Sequence, residues 1–133
     1  TLAVLGSGVR AIHPKRNTSL AKTISQRGAV ISELRPNTSV RGPQLMARDR
    51  ITSGLAKGVI VVEAQVESGS LDTAKRAQRQ GRLLLAVPGS PGNDSLIAEG
   101  VDTLNPATVD MDSLAARILA HTFPQEPTQI SMF

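Results

Sequence analysis

The chain has no cysteine, no tryptophan and no tyrosine, and only two phenylalanines. Without cysteine there is no disulfide, no thiolate ligand for zinc and no thiol nucleophile. With so few aromatic rings, base stacking cannot be a main route to nucleic-acid binding. The core must be built from Val, Ile, Leu and Ala, which suits a parallel sheet covered by helices. His13 and His121 are too few and too far apart in sequence to suggest a metal centre. No apolar run approaches the roughly 20 residues of a membrane span, and no signal-peptide pattern is present. The expectation is a cytoplasmic protein with no membrane partner, no metal and no cofactor. The Gly6-Ser7-Gly8 stretch does not meet the G-x-G-x-x-G spacing, and no Walker-type loop occurs, so a nicotinamide enzyme is disfavoured.

What is present is 133 residues, enough for one domain, with a net charge of +4. The charge is unevenly placed. Residues 1–57 hold ten Lys/Arg against two acids, Glu33 and Asp49, while residues 58–133 hold five against nine. Net charges of +8 and −4 follow, and the basic half suggests a polyanionic partner.

Apolar and small-residue patterning predicts alternating strands and helices. Leu2 to Leu5 reads as a strand ending at Gly6-Ser7-Gly8, followed by a helix over about 17–27 with Leu20, Ala21 and Ile24 on one face. A second strand covers 29–32, a loop 35–44 and a helix 46–57. Val59 to Ala64 reads as a strand covered on both faces, followed by a helix over about 70–80 and a strand over 83–87. A short helix over 94–99, a fifth strand over 101–104 and a last helix presenting Leu114, Ile118 and Leu119 complete the pattern. The fold class is therefore α/β: a Rossmann-like parallel sheet flanked by helices, one domain over 1–121 and a polar tail over 122–133.

Two small-residue turns stand at the carboxyl ends of strands, where ligands gather in open α/β sheets. Ser68-Gly69-Ser70 opens a helix, whose unpaired N–H groups can hold a phosphate. The alternative is that Ser68 or Ser70 simply caps the helix. Pro88-Gly89-Ser90 follows the next strand. With these turns, Ala3-Val4-Leu5-Gly6-Ser7-Gly8, His13-Pro14-Lys15-Arg16-Asn17, Ile31-Ser32-Glu33, Arg48-Asp49-Arg50-Ile51-Thr52-Ser53-Gly54-Leu55 and Val61-Val62-Glu63-Ala64 form an ordered set. That set resembles the DNA-processing protein A family, also called DprA or Smf. The resemblance implies an extended Rossmann-like domain that binds single-stranded DNA, forms a homodimer and loads RecA recombinase onto DNA. It also implies action in DNA uptake and recombination without catalysis.

Nothing in the chain matches the family's first β-α unit with its Gly-Ser-Arg turn. His13, Asp49 and Asp72 stand where the family has Tyr, Asn and an apolar residue. Under this reading Lys15, Arg16, Arg48 and Arg50 face phosphates, and Asn17 bonds sugar, phosphate or the neighbouring loop. Gly6, Ser7, Gly8, Ser68, Gly69, Ser70, Pro88, Gly89 and Ser90 line the phosphate turns. The competing reading for Arg48 and Arg50 is ion pairing with Asp49 or Glu63. An enzymatic alternative is a nucleotide-binding sensor or a nucleoside-monophosphate phosphoribohydrolase, although the Glu of that family's Pro-Gly-Gly-x-Gly-Thr-x-x-Glu stretch is missing. Lastly, Gln129-Ile130-Ser131-Met132-Phe133 resembles the peptide that docks bacterial proteins on the DNA polymerase sliding clamp, with Gln129 as polar anchor and Ile130, Met132 and Phe133 as apolar side chains.

Overall fold

The computed structural model describes residues 1–123. Where one domain is expected, the chain divides into two compact units, Thr1–Thr52 and a second beginning at Ser53. In the first, strand β1 (Leu2–Val4) pairs in parallel with β2 (Ala29–Ile31), in the register Leu2 to Ala29 and Val4 to Ile31. A short 3-10 turn over Lys15–Asn17 leads into α1 (Thr18–Arg27), which connects the two strands. Helix α2 runs from Gly42 to Gly54 across the division between the units. It starts four residues before the expected helix. Pro43 stands in its first turn, where the missing N–H is not needed, although the same Gly-Pro pair reads as loop in sequence.

The first unit has no buried large side chain. Its buried residues are Gly6, Ser7 and Gly8, while Val4, Ile24, Val30 and Ile51 are only half-covered. Gly8 crosses the segment after β2 so closely that a Cβ there would lie 2.1 Å from the Arg35 carbonyl oxygen and 2.3 Å from that of Pro36. Leu20, expected on the packed face of α1, is exposed; only Ala21 and Ile24 of that set turn inward.

The second unit is a three-stranded parallel sheet in the order β3 (Gly58–Val61), β4 (Leu83–Ala86), β5 (Asp102–Thr103). The strands are connected by α3 (Gly69–Arg79) and α4 (Pro91–Ala98), and α5 (Met111–Ala120) follows β5. The core is aliphatic: Val61, Ala64, Leu71, Ala74, Ala77, Leu84, Ala86, Leu96 and Val101. Helix α3 contributes Leu71, Ala74 and Ala77, three apart along one face, and two of the three are alanines, so its backbone can lie close to the sheet. Asp110 caps α5 by accepting from the Ser113 N–H, and hydrogen bonds from Ser113 hold its carboxyl below the usual range. The expected strand over Val59–Ala64 is shorter and less covered: β3 ends at Val61, Ile60 is partly open and Val62 is 71% exposed. Leu119 is also exposed, leaving Leu114 and Ile118 as the inward pair of α5.

One side chain ties this sheet together. Asn93, in the first turn of α4, is fully buried. Its amide donates to the carbonyls of Val61 (2.9 Å), Val62 (3.1 Å) and Val87 (2.6 Å), at the carboxyl ends of β3 and β4. Gly92 permits the approach: its N–H donates to the Ala64 carbonyl at 2.9 Å, and a Cβ there would lie 2.7 Å from that same oxygen. Replacing Asn93 with Ala would strip the donor from several buried carbonyls and destabilise the protein by about 2–3 kcal/mol. Urea unfolding should show this as a lower midpoint with an unchanged slope. Asn93→Asp should be more damaging at neutral pH than in acid, because only a protonated carboxyl can donate to those oxygens.

Candidate nucleic-acid interface

Two of the turns that leave the carboxyl edge of the β3-β4-β5 sheet differ in what their backbone N–H groups can still bind. At the start of α3, Ser68 is the capping residue. Its Oγ accepts from the Leu71 N–H at 3.3 Å and donates to the Gln65 carbonyl at 2.9 Å. Gly69 and Ser70 follow on the surface, and among the described residues no acceptor meets their N–H groups. These two N–H groups, at the positive end of an 11-residue helix, are the anion-accepting part of the turn. Asp72 in the same turn is directed along the helix and pairs with Arg76 at 2.5 Å.

The second turn is already occupied. The Gly89 N–H donates to the Asp94 carboxylate at 2.9 Å, so the chain's own acid fills the position proposed for a phosphate. Ser90 is 7% exposed, and its Oγ accepts from the Ala64 N–H at 3.2 Å. Pro88 and Gly89 are exposed, and in this structure the Pro88-Gly89-Ser90 turn fastens α4 to the strand ends. Gly6, Ser7 and Gly8 are buried, and the Gly8 N–H donates to the Thr38 carbonyl at 2.8 Å, so this turn packs against the segment after β2.

In the first unit, two of the four basic residues assigned to phosphates are engaged elsewhere. Arg48 donates from Nε to Asp49 at 3.0 Å and from a terminal nitrogen to the Val4 carbonyl at 2.7 Å, at the end of β1. Arg50 pairs with Glu33, not with Glu63. Lys15, Arg16 and Asn17 form the exposed 3-10 turn before α1, and the Asn17 side chain caps nothing there.

Glu33 and Asp49 are the only acids in Thr1–Thr52, and both are taken up in these pairs. That leaves Arg10, Lys15, Arg16, Lys22, Arg27, Arg35 and Arg41. All are exposed, and none has a carboxylate partner among the described residues. Five of these seven were not singled out from the sequence motifs. The count of cations against acids in the first half was the signal that contained them. Asn93 was missed altogether, since a lone Asn carries no pattern. Gln129, Ile130, Met132 and Phe133 lie outside the described residues. Among the described residues, no cluster of His, Asp or Glu could hold a metal ion, and no helix is long and apolar enough to cross a membrane.

Parallel strands, connecting helices and small-residue turns at the strand ends define a Rossmann-like α/β protein. The chain belongs to the DNA recombination-mediator protein A family, whose profile matches residues 1–114. It is 47% identical over 94 residues to protein Smf of Escherichia coli K12, a match covering 70% of this chain and 25% of that protein. It is 36% identical over 130 residues to the DNA processing protein DprA of Bacillus subtilis 168, covering 93% and 44%. The crystal structure of DprA from Streptococcus pneumoniae superposes with a TM-score of 0.75 at 39% identity, over 86% of this chain and 42% of that one. DNA processing protein A from Helicobacter pylori, described for its single-stranded DNA binding mode, shares the fold with a TM-score of 0.78 at 23% identity, over 90% and 56%. The chain thus spans between a quarter and just over a half of the length of these relatives.

The two serines of the α3 turn should separate cleanly. Ser68→Ala removes the cap and should cost about 1 kcal/mol. Ser70→Ala removes an exposed hydroxyl and should stay within about 0.5 kcal/mol of wild type. Thermal melts of the two variants check the assignment.

Proposed function

We propose that this chain is a single-stranded DNA-binding module acting in DNA processing and recombination, and that its Thr1–Thr52 unit carries the phosphate contacts. The observation that carries the reading is the charge of that unit. Its two carboxylates are used internally by Arg48 and Arg50, and seven exposed cations have no carboxylate partner among the described residues. Unpaired surface cations supply the sequence-independent part of nucleic-acid affinity. The free N–H groups of Gly69 and Ser70 are a second candidate contact. The H. pylori relative described as binding single-stranded DNA supports the same partner. Self-association and loading of RecA belong to the same proposal and rest on the family resemblance, as does action in the cytoplasm.

Of the three carboxylates near the strand ends, Glu63 is exposed past the end of β3, and the other two give the phosphoribohydrolase alternative no support. Glu33 is paired with Arg50 and Asp72 with Arg76. A non-catalytic role is therefore part of the proposal.

A salt titration with single-stranded, duplex and mononucleotide ligands tests it. Single strands should bind tighter than duplex, with log K falling against log salt at a slope of about −3 to −5, as for four to seven neutralised phosphates. Lys15→Ala should reduce that slope by about 0.7. Asp49→Asn removes a negative charge beside Arg48 and should strengthen binding by about 0.5–1 kcal/mol. Salt-insensitive binding, or tight capture of a mononucleotide alone, would overturn the reading.

We further propose, on sequence alone, that Gln129, Ile130, Met132 and Phe133 dock on a bacterial sliding clamp. A peptide covering residues 125–133 should bind the clamp with micromolar affinity, and a Met132→Ala, Phe133→Ala double variant should not. A wild-type peptide that fails to bind at high micromolar concentration would make the resemblance a coincidence.

A further inference from the structure

The first unit carries a groove whose apolar lining the phosphate-binding reading does not use, although two of the cations of that reading, Arg10 and Lys22, stand beside it. It lies against α1, with a volume of about 380 Å³. The floor is aliphatic, formed by the half-buried Ile12, Ala21 and Val30 with Val9 at its exposed lip, and the exposed Arg10 and Lys22 stand on its rim. Both cations are exposed and neither has a carboxylate partner among the described residues. No acid and no aromatic ring lines the groove. Its two hydroxyls are turned to the backbone: Thr18 Oγ1 donates to the Lys15 carbonyl at 2.7 Å and Ser25 Oγ to the Lys22 carbonyl at 2.8 Å.

These features select among occupants. A nucleobase would find no ring to stack on, and its polar edge would face aliphatic side chains without a hydroxyl to read it. A basic or neutral segment would leave the two rim cations uncompensated. An aliphatic side chain flanked by carboxylates satisfies both parts: the side chain leaves water for an apolar floor, and the acids meet Arg10 and Lys22. We infer that this groove is a docking site for an acidic peptide bearing an apolar anchor, presented by a protein partner. Rim charges would speed encounter and make it salt-sensitive, while the floor would discriminate the anchor.

The test uses the full chain and a fluorescein-labelled peptide of four aspartates followed by two leucines. The control is a peptide of six aspartates. Fluorescence anisotropy should give at least tenfold tighter binding of the leucine peptide. Ala21→Phe fills the floor without changing the charge. It should lower leucine-peptide binding at least tenfold and leave single-stranded DNA affinity within twofold. Val9→Gln, at the exposed lip, keeps the charge constant, should give the same separation and serves as the second variant where Ala21→Phe lowers the melting temperature. Lys22→Glu should weaken the leucine peptide at least tenfold. Equal binding of the two peptides would overturn the inference, since charge alone would then account for it. So would tenfold loss of DNA affinity in Ala21→Phe with no peptide binding in wild type, which would make the groove a nucleobase seat. The DNA proposal survives or fails by its own titration, independently of the peptide.

Discussion

The side-chain amide of Asn93 holds the carboxyl ends of β3 and β4 together, and the rest of the second unit is arranged around that contact. Three carbonyls at the strand ends converge on one buried amide nitrogen and share its two hydrogens. The neighbouring residues serve the same junction. Gly92 clears the Ala64 carbonyl, Ser90 Oγ takes the Ala64 N–H, and Asp94 takes the Gly89 N–H. Four of the five residues from Ser90 to Asp94, the glycine before them and the ends of two strands thus form a single hydrogen-bonded corner. Buried carbonyls are rarely left without a donor, and here the Asn93 amide supplies one at the strand ends. The equivalent corner at α3 is capped by one serine and keeps Gly69 and Ser70 open. Two turns that look alike in sequence therefore have different capacities.

The first unit follows an electrostatic logic instead. It has little buried apolar surface and a large excess of cations. Arg48 ties the end of β1 to α2 through the Val4 carbonyl while Asp49 offsets its charge, and Arg50 is matched by Glu33. The two acids are spent on the arginines that serve the fold. The cations left over are distributed over the Arg10 loop, the 3-10 turn, α1 and the segment before α2. Such a spread, over several segments of one unit, suits an extended polyanion that makes many separate phosphate contacts.

Much of the element order was legible. Strand and helix positions came from apolar runs, capping serines and aspartates and terminal glycines, all of which act within a few residues. The errors share a cause. Gly42-Pro43 and Pro91-Gly92 read as loops because Pro and Gly break helices internally, yet both pairs sit in the first turn, where a missing N–H costs nothing. Leu20 and Leu119 were assigned to packed faces from spacing, but spacing gives a face and not its neighbour, and both side chains point to solvent. Val62 was read as a covered strand residue and lies past the end of β3, exposed.

By itself the sequence determined the α/β alternation, the aliphatic core, the basic first half and the family, because these depend on composition and on order along the chain. Only the tertiary structure decided which groups remain free to act. Whether Gly89 can hold a phosphate depends on Asp94, five residues away; whether Arg50 can reach DNA depends on Glu33, seventeen away. Hydrogen bonds and ion pairs are short-ranged, so a donor's availability is set by what folding brings within about 3 Å, a distance that no pattern along the chain encodes.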